Sequence, residues 1–352
     1  MSITVRSFAK INLGLTIGPL RPDGFHDLRT VYQTIALHDI IHVQVERGAG
    51  IEIRCEDPRV PKDASNTCYR IVERAMEGLR ARGRVTITIE KRLPVQGGLG
   101  AGSGNAVTAL IGLERVLKRN LPGAARLRIA AEVGSDLPLF LVGGTVLGVG
   151  RGEEVYPLAD LPATVCVVAT PEIGMSTPKA FADWDGMMAE GAAELRSARM
   201  GRRPVLTPTG EATKLTLQSP SDRMSEIGRV VSAWLNGQPL SGVPVSKGRG
   251  RAETSLLDLV RTGIENDFER VVFPKYPELR EVKSVLERAG AFYASLSGSG
   301  SALYGLFGSR AAGEKAVVRL RRDGIPAVAT TTMTRQQYWK KICDWRFWIS
   351  DW

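Results

Sequence analysis

The sequence has few of the residues that build a disulfide framework or a zinc site. Its four cysteines (Cys55, Cys68, Cys166 and Cys343) are scattered without a C-x-x-C pair, and only three histidines accompany them. Isolated cysteines argue against both kinds of site, and reduced thiols are typical of a cytoplasmic protein. We therefore predict a cytoplasmic location, with neither disulfides nor structural zinc.

Long apolar segments are also missing. No uninterrupted apolar run approaches the roughly eighteen residues of a membrane span, and no basic segment followed by an apolar one opens the chain. We expect a protein that neither spans a membrane nor is secreted.

The chain does have the length and composition of an ordinary two-domain protein. It contains 352 residues, of which 43% are hydrophobic and 24% charged. Its formal net charge of +10 favours anionic partners, which include nucleotides, phosphorylated metabolites, nucleic acid and acidic lipid. Charge alone does not choose among them.

Glycines are concentrated at the predicted start of a helix. Alternating residues in "RVTITIEKRLP" predict a strand, "GGLGAGSG" follows at 97–104, and Leu110, Leu113 and Leu117 then recur at helical spacing. A helix N-terminus has unpaired amide donors and about half a positive charge, so glycines there allow an anion to approach the backbone closely. The stretch therefore predicts a phosphate site.

Two common phosphate loops do not match this stretch. A P-loop needs a lysine after its last glycine, and none follows here. The dinucleotide fingerprint G-x-G-x-x-G fails in both frames, because Ser103 or Asn105 stands where the last glycine is required. The remaining features are Gly98, Gly100 and Gly102, which bring amides close, and Ser103, which could reach a phosphate or Mg²⁺.

The stretch "PVQGGLGAGSGNAVTAL" resembles the nucleotide loop of the GHMP kinases. Three further segments resemble motifs of that family in the same order: "SFAKINLGLTIGPLRPDGFHDL", "GSDLPLFLVGG" and "SLSGSGSALYGLF". The long form of the loop and the "DGFH" element are most similar to the branch that acts on 4-diphosphocytidyl-2-C-methyl-D-erythritol. The chain departs from that branch at Gln96, Ala101, Gly104 and Phe25.

The resemblance implies an α+β, two-domain GHMP kinase fold. Residues 1–160 would form an ATP-binding domain of the ribosomal protein S5 domain 2-like type, and residues 161–338 a ferredoxin-like α/β sandwich. Composition becomes basic and rich in Gly and Pro near 185–251, which we interpret as an insertion with loose segments around one helix at 224–235.

A tail at 339–352 holds four of the six tryptophans (Trp339, Trp345, Trp348 and Trp352). The spacing of the last three predicts a short helix with an aromatic stripe. Packing on its own domain or on a dimer partner would explain the stripe, and contact with a membrane surface is the alternative.

Lys10 and Asp136 are the catalytic residues that the resemblance implies. Lys10 lies on the polar face of an alternating strand, where a solvated lysine is the ordinary interpretation. Asp136 precedes Leu-Pro, where a helix cap or an Asx turn is the ordinary interpretation. By analogy, Lys10 would stabilise charge on the transferred phosphoryl group and Asp136 would deprotonate the accepting hydroxyl.

The resemblance also implies two sets of binding residues. Those expected to bind ATP are Asn66, Pro94, Gly97, Gly98, Leu99, Gly100, Ala101, Gly102, Ser103 and Gly104, with Ser103 as the candidate Mg²⁺ ligand. Those expected to bind substrate are Asn12, Phe25, His26, Thr177, Phe181, Gly298 and Gly300. His26 would read the polar edge of a cytosine while Phe25 and Phe181 stack on its faces. Local structural roles remain the alternatives: Asn66 as a helix cap, His26 in a turn, Phe181 in the core.

The expected function is ATP-dependent phosphorylation of the 2-hydroxyl of the cytidyl substrate, in non-mevalonate isoprenoid precursor synthesis. A homoserine- or mevalonate-type kinase is one alternative, and a non-catalytic RNA-binding protein, favoured by the positive charge, is another. The expected partner is the small-molecule substrate, with no nucleic acid and no membrane, and the expected state is a monomer or weak homodimer.

Overall fold

The computed structural model describes residues 1–95, 97–200 and 265–342. Gln96, the predicted helix at 224–235, and Trp345, Trp348 and Trp352 lie outside the described residues.

The N-terminal domain is a mixed sheet covered by helices. Its strands are β1 (Ser2–Leu20), β2 (His26–Glu46), β3 (Gly50–Cys55), β4 (Arg84–Glu90), β5 (Thr145–Val149) and β6 (Glu154–Pro157). They follow the order β3-β4-β2-β5-β6, with β1 paired to β2, and every pair except β3–β4 is antiparallel. The helices are α1 (Thr67–Gly78), α2 (Ala101–Leu117), α3 (Gly123–Val133) and α4 (Leu137–Val142).

The C-terminal domain has the ferredoxin-like arrangement. Its antiparallel strands are β7 (Val165–Ala169), β8 (Tyr293–Leu296), β9 (Leu303–Phe307) and β10 (Ala327–Thr331), in the order β10-β7-β9-β8. Helices α5 (Thr177–Met200), α6 (Glu269–Lys275) and α7 (Pro277–Arg288) lie between β7 and β8 in the chain, and α8 (Arg310–Arg322) lies between β9 and β10. This β-α-β-β-α-β succession confirms the predicted α+β, two-domain fold.

Strand β1 contributes to the cores of both domains. Its register with β2 shifts between Phe8 and Ala9. Because side chains alternate along a strand, Phe8 and Ile11, three positions apart, lie on opposite faces. Phe8 packs with the N-terminal helices, whereas Ile11 packs with Tyr304 of the C-terminal sheet. The predicted alternation is present, and its apolar side faces the other domain.

Hydrogen bonds also join β1 to the C-terminal domain. The amide of Leu15 donates to the Glu265 carbonyl at 3.1 Å, and the Leu15 carbonyl accepts from the Asp267 amide at 2.9 Å. The Tyr304 hydroxyl donates to the Asn12 carbonyl at 2.7 Å. The strand that holds the predicted lysine is therefore fixed from two sides.

Helix α1 ends at Gly78, and Arg80 just beyond it takes a left-handed conformation. Helix α4 has Pro138 in its first turn, where a proline costs a helix no hydrogen bond. One local expectation was wrong. Helix α5 continues to Met200, so the first part of the predicted loose segment at 185–251 is helical.

The end of the described chain returns to the N-terminal domain as α9 (Arg335–Ile342). The Tyr338 hydroxyl donates to the Phe140 carbonyl at 2.7 Å, and Trp339 Nε1 donates to the Val142 carbonyl at 3.0 Å. Both acceptors lie in the last turn of α4, where helix carbonyls lack partners. Trp339 thus packs on its own chain.

Among the described residues, no helix combines the length and apolar composition that crossing a bilayer requires.

Candidate active site

The glycine cluster lines a cavity of about 350 Å³ at the start of α2. Residues expected to bind ATP surround it: Asn66, Pro94, Gly97, Gly98, Leu99, Gly100, Ala101, Gly102 and Ser103. Gly104 does not line the cavity. A Cβ on Gly104 would lie 2.7 Å from the Phe8 carbonyl oxygen, so this glycine allows α2 to pack closely on β1.

The backbone of the loop suits an anion. Gly98 and Gly100 have φ angles of +76° and +66°, a region that favours glycine, and Gly100 is the N-cap of α2. The amides of the first helical turn have no carbonyl partner within the helix. Together with the helix dipole, they form a binding surface for a phosphate group.

Asn66 caps helix α1 and also lies at the cavity. Its side-chain oxygen accepts from the Cys68 amide at 2.8 Å, which caps α1, and its amide nitrogen donates to the Pro61 carbonyl at 2.6 Å. The same residue lines the cavity.

Sequence reasoning missed a buried carboxylate behind this loop. Asp39 is fully buried and accepts hydrogen bonds from the Lys91 ammonium at 2.6 Å and from the Asn105 side chain at 2.9 Å. It also accepts from the amides of Arg92 and Leu93. Asp39 therefore links the chain before the glycines to the helix after them. An aspartate within a strand, here in the pair "HD", has no local sequence pattern that predicts such a role.

Lys10 and Asp136 meet beside the cavity. Lys10 Nζ lies 3.3 Å from Asp136 Oδ2 and donates to Asn12 Oδ1 at 2.7 Å, and the Lys10 side chain is almost fully buried. The Lys10 amide donates to the Leu99 carbonyl at 2.9 Å, which places this strand directly against the glycine loop. A solvated lysine is excluded, since such burial is rare for an unpaired lysine.

Asp136 occupies the N-cap position of α4, but its side chain makes no capping hydrogen bond. Its carboxylate instead faces Lys10 and accepts from the Tyr32 hydroxyl at 3.0 Å. Burial, reinforced by the negative charge of Asp136, raises the pKa of Tyr32 well above its usual value of 10. Tyr32, which sequence reasoning missed, therefore remains a hydrogen-bond donor.

The C-terminal glycine loop closes the site from the other domain. Asn266 holds this loop by donating to the carbonyls of Leu296 and Gly298 at 2.9 and 2.7 Å. A Cβ on Gly298 would lie 3.4 Å from Asn12 Oδ1 and 3.5 Å from Lys10 Nζ, so the backbone comes close to both side chains. Gly300 follows in the same loop with a φ of +95°.

The loop also contacts the nucleotide cavity: the Ser297 hydroxyl donates to the Gly98 carbonyl at 3.0 Å. The predicted catalytic residues and both glycine loops therefore converge on one cleft.

The predicted base-binding residues form a cluster next to this cleft. Phe181 stacks on His26 with ring centroids 5.4 Å apart and an angle of 6° between the planes. Phe25 is 51% exposed and has the Arg151 guanidinium 5.1 Å from its ring centre. Phe181 therefore lies against His26 itself, where we had expected it to cover the second face of a base.

Thr177 lies at the start of α5, and its hydroxyl is 2.8 Å from that of Ser299 in the C-terminal glycine loop. The contact links the helix that holds Phe181 to the loop that contains Gly298. It places Thr177 between the cluster of aromatic rings and the cleft.

Replacing Gly98 by alanine is expected to raise KM for ATP and to lower the free energy of unfolding by about 2 to 4 kcal/mol. The new methyl group would overlap the Ser297 carbonyl, and the φ of +76° is unfavourable for alanine. Urea denaturation and steady-state kinetics measure the two effects. Gly123→Ala is the matched control, since a Cβ there meets nothing within 4 Å. Equal stability of both variants would contradict the expectation.

Replacing Tyr32 by phenylalanine is expected to lower kcat about tenfold with little change in KM, because Asp136 loses one of its two positioning partners. The pKa of Tyr32 lies well above 10, so the hydroxyl stays protonated at lower pH and the pH dependence of the rate below about pH 9 should not change. A pH–rate profile tests both statements, with the exposed Tyr156→Phe as control. Loss of an alkaline limb in Tyr32→Phe would contradict them.

A glycine loop at the start of a helix, next to a buried lysine that contacts a half-buried aspartate, is an arrangement suited to phosphoryl transfer. The chain belongs to the GHMP kinases: the N-terminal domain of that family matches residues 66–144 and its C-terminal domain matches residues 252–325. It is 34% identical to the 4-diphosphocytidyl-2-C-methyl-D-erythritol kinase of Solibacter usitatus, covering 96% of this chain and 92% of that protein. It is 33% identical to the enzyme of that name from Acaryochloris marina, with 90% and 91% covered.

Solved structures agree on the fold. A crystal structure of 4-(cytidine 5'-diphospho)-2C-methyl-D-erythritol kinase has a TM-score of 0.65 at 25% identity, with 94% of this chain and 99% of that chain covered. The homoserine kinase of Cytophaga hutchinsonii has a TM-score of 0.66 at 18% identity, with 96% of each chain covered. The similarity to the homoserine kinase concerns the fold alone. The overall fold therefore does not show which substrate a member of the family uses.

Proposed function

We propose that this chain transfers the γ-phosphoryl group of ATP to the 2-hydroxyl of 4-diphosphocytidyl-2-C-methyl-D-erythritol, a step in isoprenoid precursor synthesis. The main support is the pairing of Lys10 with Asp136 next to the glycine loop, at 3.3 Å. The substrate is inferred from the named relatives, which cover nearly the full chain, and from the aromatic cluster around His26.

Asp136 acts as the general base. Its carboxylate is held between Lys10 and Tyr32 and remains about one-third exposed. It takes the proton of the accepting hydroxyl as the oxygen attacks the γ-phosphorus, and the bond from that phosphorus to the departing ADP breaks. Such assistance contributes about 10²- to 10⁴-fold in rate.

Lys10 stabilises the charge that spreads over the transferred group. Its ammonium is buried, and Asn12 and Asp136 fix its position, so little reorganisation is needed during the reaction. Asn12 is in turn fixed by Thr30, to whose hydroxyl it donates at 2.7 Å. The first-turn amides of α2 hold the phosphates of ATP in place.

The residues present fit a Mg²⁺ ion that is bound mainly by the nucleotide. Among the described residues, no cluster of three or more His, Cys, Asp or Glu side chains forms a metal site. Mg²⁺ in kinases usually takes one or two protein ligands together with phosphate oxygens and water. Ser103, which lines the cavity in the first turn of α2, offers the hydroxyl oxygen for this role. When bound, the ion neutralises charge on the triphosphate.

The other candidate functions explain less of the site. A homoserine- or mevalonate-type kinase would not explain the contact of His26 with Phe181 or the exposed ring of Phe25. An RNA-binding role would not explain why the buried Lys10 side chain contacts Asp136. We accordingly infer a small-molecule partner, no nucleic acid, a cytoplasmic enzyme, and a monomer or weak homodimer.

An ADP-release assay with the cytidyl substrate, homoserine and mevalonate tests the proposal. We expect ATP- and Mg²⁺-dependent turnover with the cytidyl substrate alone, and ³¹P NMR should locate the new phosphate on the 2-hydroxyl. A higher kcat/KM with homoserine or mevalonate would contradict it. Salt-sensitive RNA binding without ATP turnover would favour the non-catalytic alternative.

A further inference from the structure

The helix next to the proposed base is too short to be stable by itself. Helix α4 has six residues, and Asp136 precedes it at the N-cap position without a capping hydrogen bond from its side chain. Such short helices are unstable alone, because forming the first turn orders several residues for a single hydrogen bond. The position of Asp136 therefore depends on the contacts that α4 makes with the rest of the chain.

The C-terminal end of α4 is held by α9, the last helix of the described chain. The Phe140 carbonyl accepts from the Tyr338 hydroxyl at 2.7 Å, and the Val142 carbonyl accepts from Trp339 Nε1 at 3.0 Å. Carbonyls in the last turn of a helix have no partner within that helix. The two donors of α9 therefore replace the hydrogen bonds of the turn that would follow.

Tyr338 is itself firmly fixed. It is 1% exposed, and its ring centre lies 5.7 Å from that of Phe8 in β1. A Cβ on Gly143 would overlap the Tyr338 ring, so this ring lies directly on the backbone where α4 ends. Burial raises the pKa of the Tyr338 hydroxyl above its usual value of 10, so the hydroxyl remains a donor.

The middle of α4 contacts the nucleotide loop. Phe140 is fully buried, and a Cβ on Gly100 would lie 3.1 Å from Phe140 Cζ. Six helical residues span about 9 Å. Over that length, α4 has Asp136 at one end, a ring against the glycine loop, and the donors of α9 at the other end.

We propose that Tyr338 is a positioning residue for phosphoryl transfer: by donating to the end of α4, it sets where Asp136 stands relative to Lys10 and the accepting hydroxyl. Trp339 supports the same end of the helix. Displacing a catalytic group by about 1 Å can lower a rate roughly 10²-fold. The proposal rests on the proposed function, because it takes Asp136 as the general base.

Tyr338→Phe removes only the hydroxyl. We expect kcat to fall about fivefold to tenfold, with KM for ATP and for the cytidyl substrate unchanged, since neither ligand is contacted. In an Asp136→Asn background, Tyr338→Phe should cause no further fall in the single-turnover rate, because an absent base cannot be misplaced. Trp339→Phe, which removes the second donor, should show the same dependence on Asp136. Rapid-quench measurements give these rates.

Ser309→Ala is the control for a hydrogen bond lost elsewhere, because the Ser309 hydroxyl caps α8 in the other domain. It should lower the melting temperature and leave kcat unchanged. A normal kcat in Tyr338→Phe would overturn the proposal. Equal falls with and without Asp136→Asn would overturn it too, since a purely structural residue gives that pattern.

A measurement without turnover separates this proposal from the proposed function. In protein labelled with ¹³C at the aspartate carboxyl carbons, the NMR signal of Asp136 is identified by its absence in Asp136→Asn. Tyr338→Phe should shift this signal, and Ser309→Ala should not. An unshifted signal would overturn the positioning role. Absence of turnover in the unaltered protein would instead contradict the proposed function, while a shifted signal would still support the coupling of Tyr338 to Asp136.

Discussion

Replacing Asp136 by asparagine is expected to lower kcat by about 10²- to 10⁴-fold while KM for ATP stays nearly the same. Asparagine keeps the size of the side chain and can still accept from Lys10 and Tyr32, so the local fold should persist. It cannot take a proton from the accepting hydroxyl, so the general-base contribution is lost.

Steady-state kinetics with the cytidyl substrate measure this effect, and nucleotide titration verifies that ATP still binds. Asp323→Asn is a suitable control, because Asp323 is exposed at the end of α8. An Asp136→Asn enzyme with turnover within tenfold of the unaltered enzyme would eliminate Asp136 as the base. The reaction would then depend on positioning and charge alone.

Replacing Lys10 by methionine is expected to lower kcat by about 10²- to 10³-fold, the usual cost of removing a preorganised group that stabilises transition-state charge. Methionine retains much of the buried volume but has no ammonium to contact Asn12 and Asp136. Arginine should not restore the rate. A Cβ on Gly100 would already lie 2.9 and 3.1 Å from the Lys10 methylenes, so a longer side chain has little room.

Rapid-quench measurement of a single turnover tests the chemical step directly. Lys275→Met removes a charge from a half-exposed position in the other domain and should leave the rate unchanged. A normal single-turnover rate in Lys10→Met would show that the ammonium is not part of the transition state. Melting curves of both variants verify that they remain folded.

Sequence patterns predicted the strands, loops and helices around the site better than they predicted the contacts between the side chains of those elements. The alternation along β1 and the glycines before α2 gave the strand, the phosphate loop and the helix, because these signals are local. Pairing of Lys10 with Asp136 came only from resemblance to a family. The two side chains come together through folding of a whole domain, which neither segment encodes by itself.

The residues that sequence reasoning missed act across long separations. Tyr32 reaches Asp136 over 104 positions, and Asp39 reaches Asn105 over 66. A tyrosine or an aspartate within a strand has no periodic or capping signature, so only the assembled sheet shows its partner. Residues 185–200 were assigned to a loose insertion because composition becomes basic and rich in Gly and Pro there, yet they continue helix α5.

Strand β1 has a further consequence for how such a chain can change during evolution. Its backbone forms hydrogen bonds with both domains through residues such as Leu15 and Asn12, so the strand is a structural part of each. Exchanging one half for that of a distant relative would mismatch the strand with one of its neighbours, so such a chimaera is expected to be less stable than this chain.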